Sequence, residues 1–188
     1  MRIPACKHTT LCITRNPCSL NLTEIIQRRD NHVSYCRRFV NDWDHAANGT
    51  IAVLESLTDD KLNQAIVEGH STLGWLGWHL ATSPVFFAGL VGVEIDAGET
   101  KNATPEKANE IVQTYKKVAT AVKVQVEKTL TNEKLEEHVN AMGGSVARGA
   151  LLRTLIDHQT HHRGQMTVLL RQAGLRVPGV MGPTKEEQ

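Results

Sequence analysis

At 188 residues, with 40% hydrophobic and 22% charged residues, the chain has the make-up of one soluble globular domain. It is too apolar for a disordered chain, and long enough to bury a core without disulfide or metal staples. The formal net charge of +1 excludes the basic excess of a nucleic-acid binder; residues 1–40 hold seven Lys/Arg against two acids, and residues 41–188 hold 14 against 18, so the body of the chain is mildly acidic.

All four cysteines (Cys6, Cys12, Cys18 and Cys36) fall in the first 36 residues, and no CxxC pair exists to begin a zinc ribbon. They read as unpaired thiols in a loose tail. Met1–Leu22 lacks the apolar run of a signal peptide; it is acid-free and carries Arg2, Lys7 and Arg15, a composition shared by transit peptides and by added upstream segments. We expect little fixed structure over residues 1–22, an extension over 1–38 that is partly disordered or a short helix, a helical domain over 39–185, and a cytoplasmic location.

Residues 23–57 predict a first helical region, with a break near Asn41. Trp43, Ala47, Thr50, Leu54 and Leu57 recur on one face at steps of three and four. Thr58-Asp59-Asp60 stops that helix and caps a short helical turn over 59–66, which ends before Gly69. The second long helix runs from Ser71 or Thr72 to about Gly92, with Pro84 inside it to kink it. Its segment Leu73–Val93 is 21 residues without Asp, Glu, Lys or Arg, long enough to span a bilayer. Four glycines, Pro84 and His79, with no flanking Lys or Arg, favour a buried helix instead. Residues 94–103 read as loop.

Thr104 is the predicted N-cap of a third helix, with Pro105 in its first position and the helix reaching about Leu130. Ala108, Ile111, Val112, Tyr115, Val118, Ala119, Val122 and Val126 make its buried stripe. Thr131–Asn140 reads as a polar helical turn, and Gly143-Gly144 as a break. The fourth long helix is predicted from Ser145 to Ala173, with Gly174 at C′ and Pro178 beyond. Val177–Gln188 is irregular. Strand alternation is nearly absent, so the expectation is an all-α, four-helix bundle with an N-terminal extension.

The chemistry lies on two of these helices. Leu151, Leu155, His158, His162, Gln165 and Leu169 form one narrow stripe at about 100° per residue, the stripe we expect the bundle to bury. Two histidines and a glutamine stand in its middle, and unpartnered polar groups there would cost roughly 1–3 kcal/mol each. Histidines at i and i+4 present two imidazoles on one face, as helical zinc ligands do. The second helix adds His79 to an inward stripe of Leu76, Ser83, Phe86 and Leu90. Three inward histidines from two helices can hold a metal and leave positions open, the pattern of a catalytic site; zinc, nickel and ferrous iron all accept imidazole. The bland alternative is a set of core histidines that satisfy one another. His161 lies on the stripe's edge as a neighbour of the ligands, and His70 caps the second helix or lines the pocket mouth. His45 and His138 read as solvated, and His8 and His32 precede the bundle.

His158-Gln159-Thr160-His161-His162-Arg163-Gly164-Gln165 and Leu169-Leu170-Arg171-Gln172-Ala173-Gly174 resemble the fourth-helix signature of the DinB-like (YfiT-like) family. Leu73-Gly74-Trp75-Leu76-Gly77-Trp78-His79-Leu80 resembles that family's second-helix motif, and Val177-Pro178-Gly179-Val180-Met181-Gly182-Pro183 its usual ending. The resemblance covers about residues 39–185. It implies a four-helix bundle, a divalent metal on His79, His158 and His162, and a homodimer. Relatives include transferases and isomerases that use bacillithiol, mycothiol or glutathione.

The first expected function is thus a metal-dependent thiol S-transferase for small electrophiles, with Arg163 and Gln165 orienting the cofactor or water. A metal-dependent hydrolase is the second; it would need a general base, for which Asp157 and Glu68 are poorly placed candidates. A non-catalytic metal- or ligand-binding stress protein is the third. The expected partner is a small molecule, neither nucleic acid nor membrane.

Overall fold

The computed structural model describes residues 22–98 and 103–187, with side chains described over residues 35–98 and 103–186. The expected loose stretch before Leu22, with Cys6, Cys12, Cys18 and His8, lies outside the described residues, as does the His32 side chain. Four long helices carry the fold: α1 (Leu22–Leu54), α2 (Leu73–Leu90), α3 (Ala108–Thr129) and α5 (Arg148–Gln172), with the short α4 (Asn132–Glu136) before α5. Around the bundle the order is α1–α3–α2–α5, each packed on two neighbours, so α1 and α2 stand diagonally. Among the described residues no helix is long and apolar enough to cross a membrane; Leu73–Val93 supplies α2 and its following turn.

The expected break near Asn41 does not occur. α1 is one helix through that point; Asn41 and His45 face solvent, where polar side chains need no partner, while Trp43, Ala47, Thr50 and Leu54 are buried as the spacing requires. Cys36 sits on this helix and not in a tail. It is half-buried, its Sγ 3.6 Å from the Leu130 carbonyl, and burial first, then Glu127, pushes its thiol pKa up. That thiol is a packing group rather than a nucleophile.

Three further boundaries differ from expectation, each for a local reason. The helical turn after Thr58 shrinks to a 3-10 turn at Asp59–Lys61. Asp59 from this turn, and not Thr104, caps α3: its Oδ1 accepts from the Ala108 N–H at 2.8 Å and its Oδ2 from Lys107 Nζ at 3.0 Å, so the helix begins three residues late. The polar stretch after α4 forms a hairpin, β1 (His138–Ala141) with β2 (Gly144–Ala147), paired antiparallel from His138↔Ala147 to Ala141↔Gly144. Met142 and Gly143 both have positive φ, 51° and 86°, the signature of a type I′ turn, so Met142-Gly143 makes a reversal where a break was expected. α5 therefore starts at Arg148; at its other end Gly174 is left-handed at C′, as predicted.

Where α2 crosses its neighbours, Gly77 is closely packed. A Cβ there would lie 3.2 Å from Ile111 Cγ2 and Leu54 Cδ2, and 3.3 Å from Leu57 Cδ1. Further along, Pro84 removes the N–H that would have bonded to the Leu80 carbonyl. That carbonyl is taken by α5: Gln159 Nε2 donates to it at 3.2 Å, while Gln159 Oε1 accepts the Tyr115 hydroxyl of α3 at 3.0 Å. Gln159 and Tyr115 are both fully buried, and burial holds the Tyr115 phenol pKa well above its ordinary range, so it serves as a neutral donor. Beside them Arg163 Nη1 donates to the Ala46 carbonyl (2.9 Å) and the Thr50 hydroxyl (3.2 Å) of α1. This polar layer ties all four long helices together inside an apolar core.

Replacing Gln159 strands a carbonyl and a hydroxyl, each worth roughly 1–3 kcal/mol when left unpaired and buried. Gln159→Leu is expected to lower unfolding free energy by about 2–4 kcal/mol, and Tyr115→Phe by less. Urea unfolding followed by circular dichroism checks this; a Gln159→Leu loss under about 1 kcal/mol would refute the assignment.

Candidate metal centre

α2 and α5 run side by side and bring three histidines to one point. The ligand-capable nitrogens of His79, His158 and His162 all lie within 4.8 Å of one another. His79 Nε2 and His158 Nε2 are 3.0 Å apart, and the three rings stand 4.4–4.9 Å from one another between centroids. Two nitrogens each ~2.1 Å from one ion, at a right angle, would be separated by ~3.0 Å, so this spacing suits a shared divalent cation. The donor set also fits: three imidazoles, with no carboxylate or thiol in the cluster among the described residues.

Burial favours the form a metal needs in two of the imidazoles. His158 has its pKa pushed down to about 4, by burial first and then by His162, His79 and His161; His79 is lowered by burial and then by His162. Both are neutral at pH 7. His162 Nδ1 lies 2.8 Å from Gln165 Oε1 and donates to it, which leaves the Nε2 lone pair free to coordinate. His158 Nδ1 is buried and has no partner among the described residues.

The cluster is less buried than its stripe suggested. The most buried line on α5 runs through Leu155, Gln159, Met166 and Leu170, roughly 70° around the helix from the histidines. Leu151 and Leu169 close the ends of the histidine stripe, but His158 and His162 in its middle are only half-buried and Gln165 is exposed. On α2, Phe86 is 59% exposed instead of inward, and its neighbour Phe87 is the buried ring, packed 5.4 Å from His158. Trp75 was not singled out by its sequence position. Its ring lies flat on His79, 4.9 Å away at 10°. Its place one helical turn before His79 was the available signal.

The remaining candidates separate. His161 is exposed, its ring 4.8 Å from that of His162, and it stays outside the cluster. Arg163 lies about 100° around α5 from His162, with Nη1 held by α1, so its bonds secure helix packing. Asp157 is bound by Arg153 at 2.8 and 3.2 Å, and Glu68 is exposed in the loop before α2. Thr72, and not His70, caps α2 by accepting from the Trp75 N–H at 3.1 Å. His70 stands on the rim shared by two cavities: a cleft of about 710 Å³ that also meets Asp59, Glu106 and Trp75, and a pocket of about 260 Å³ that also meets Gln165. His138 is exposed in β1, as expected.

Two outcomes are expected. Nickel or cobalt titration into metal-free protein saturates at about one ion per chain and quenches Trp75 emission, and His79→Ala abolishes both effects; full binding by a His79/His158/His162 triple-alanine variant would refute the centre. In metal-free protein, stability falls as pH drops from about 6.5 towards 4, because the unfolded chain takes up a proton that folded His158 refuses; below about 4 both states are protonated and the loss levels off. His158→Gln should flatten that pH dependence in urea unfolding relative to the parent chain.

Comparison with known proteins bears on the family and the fold. The chain is 38% identical over 149 residues to the protein YrdA of Bacillus subtilis (strain 168), spanning 79% of this chain and 89% of YrdA. It is 28% identical over 133 residues to YjoA of the same organism, spanning 68% and 83%. Its fold matches the crystal structure of a DinB-like protein from Bacillus cereus ATCC 10987 with a TM-score of 0.71 at 39% identity, over 75% of this chain and 94% of that one. The crystal structure of the B. subtilis DinB-like protein YjoA matches at 0.62 and 21% identity, over 78% and 99%, and speaks for the fold alone. The DinB family model matches residues 29–188, and with these relatives it establishes that the chain belongs to the DinB family.

Proposed function

We propose that this protein is a divalent-metal-dependent enzyme that joins a low-molecular-weight thiol, of the bacillithiol, mycothiol or glutathione kind, to a small electrophile. The observation that carries the proposal is the convergence of three half-buried imidazoles, His79, His158 and His162, two of them with pKa values depressed by burial. Three protein ligands leave positions for an outside molecule. A divalent ion held there would supply the charge that makes a coordinated thiol a thiolate at neutral pH.

The chain's own residues provide the rest. The three histidines position the reacting sulfur, and Gln165 holds His162 in the ligating tautomer. Trp75 and Phe87 pack against His79 and His158 and screen these two rings from water. In the transfer, the thiol sulfur forms a bond to an electrophilic carbon, the leaving group departs with its bonding electrons, and the thiol proton passes to solvent. A hydrolytic route is served less well, since Asp157 is engaged by Arg153 and no carboxylate joins the cluster among the described residues. In this proposal the partners are a thiol and a small electrophile, and the working assembly is a homodimer.

The test is a screen of zinc-, nickel- and ferrous-loaded protein with the three thiols against 1-chloro-2,4-dinitrobenzene and monobromobimane. Metal-dependent conjugation that falls at least ~100-fold in His79→Ala is expected. No metal-dependent rate with any thiol would overturn the proposal, and ester turnover without thiol would replace it with hydrolysis.

A further inference from the structure

One turn along the α2–α5 seam from the histidines lies the smaller cavity, about 260 Å³, lined by Ile66, His70, Leu76, Gln165, Val168 and Leu169 among others. Leu76 is three residues before His79, and Gln165 three after His162, which places the cavity's near wall ~5 Å along the helix axes from the centre. Gln165 belongs to both: its Oε1 accepts from His162 Nδ1 while its side chain lines the cavity. The aliphatic part of the wall is Leu76 and Leu169, both buried, with Ile66 and Val168 57% and 48% exposed; the exposed His70 and Ser71 add polar atoms to it. A dry aliphatic cavity of ~150 Å³ accepts benzene, so this volume accommodates a single ring or short branched chain bearing one small polar group. No carboxylate, Lys or Arg lines it, so a buried ligand charge would meet no such counter-charge there. The 710 Å³ cleft on the other side of His70 differs, with Asp59, Glu106, Asn63 and Thr72 in its walls.

We infer that the 260 Å³ cavity is a binding pocket for a small uncharged organic group, its apolar part against Leu76, Val168 and Leu169 and its polar atom towards Gln165. This deepens the thiol-transfer reading and rests on it for its purpose: the pocket would seat the electrophile's carbon skeleton beside the metal centre and leave the polar cleft to other ligands.

The probe is benzyl alcohol, titrated into full-length protein with and without zinc and followed by methyl NMR, with zinc content measured on the same samples. Saturable shifts confined to the methyls of Ile66, Leu76, Val168 and Leu169 are expected. Val168→Asp should weaken binding at least tenfold, with helicity and zinc content unchanged, and Ile66→Asp should do the same. In conjugation assays Val168→Asp should raise KM for an apolar electrophile and leave KM for the thiol unaltered. Absence of localised shifts, shifts centred on the Thr72 and Thr104 methyls of the polar cleft, or binding that survives both variants would overturn the inference. So would self-association that Val168→Asp abolishes while no probe binds, since the face would then be a contact between copies. Probe binding without zinc binding sinks the thiol-transfer reading but keeps the pocket, whereas zinc binding without probe binding does the reverse.

Discussion

The Leu80 carbonyl of α2, left without its helical donor by Pro84, is bonded across the helix interface by Gln159 of α5, and Gln159 is in turn held by Tyr115 of α3. A buried amide can only be satisfied there if α2 and α5 keep one register. A shift of one residue would turn Gln159 away by 100° and strand both partners. The same register sets His158, next to Gln159 in the chain, opposite His79. The candidate centre thus inherits its geometry from a structural hydrogen bond that no metal touches.

Close approach is the second half of that constraint. α2 is apolar on every side, so hydrophobicity alone would not choose its orientation. Gly77, where a Cβ would be crowded by Ile111, Leu54 and Leu57, favours the face that packs on these residues, and Leu80, Ser83 and Phe87 then turn to the core. His79 is left on the border between core and solvent. On α5 the division is similar: Gln159, Met166 and Leu170 fill the interior while His158 and His162 line its edge. Half-burial matters to the chemistry. It depresses the pKa values of His79 and His158, which keeps their lone pairs available, without the desolvation that would close the site to other molecules.

Polar groups inside the bundle divide by role. Arg163 and Thr50 bind α5 to α1, and Tyr115 and Gln159 bind α3 to α5, all within the interior. Gln165, Trp75 and Phe87 instead surround the histidines. Adjacent positions in one short motif therefore do different work: His162 offers a nitrogen to the centre, Arg163 one residue later holds the fold, and Gln165 returns to the centre because three residues bring the helix back to nearly the same face.

Helical periodicity and capping chemistry in the chain were enough to yield the all-α architecture, the extents of the long helices within a few residues, and the three histidines, because a 3.6-residue period ties sequence spacing directly to spatial direction. Local signals also sufficed for Gly174 at C′, and narrowed the start of α2 to Ser71 or Thr72, of which the structure selects Thr72 as the cap. What sequence spacing did not reveal depends on partners distant in the chain. Asp59 displaces Thr104 as the α3 cap from 49 residues away, a contact no local pattern encodes. The hairpin after α4 is too short to show alternation, and its turn type follows from the positive φ of Met142 and Gly143. The depth of the histidines, the stacking of Trp75 on His79 and the exposure of Phe86 follow from which neighbours α2 and α5 meet. A single helix fixes angles around its own axis; how far each face is buried is decided by the helices packed against it.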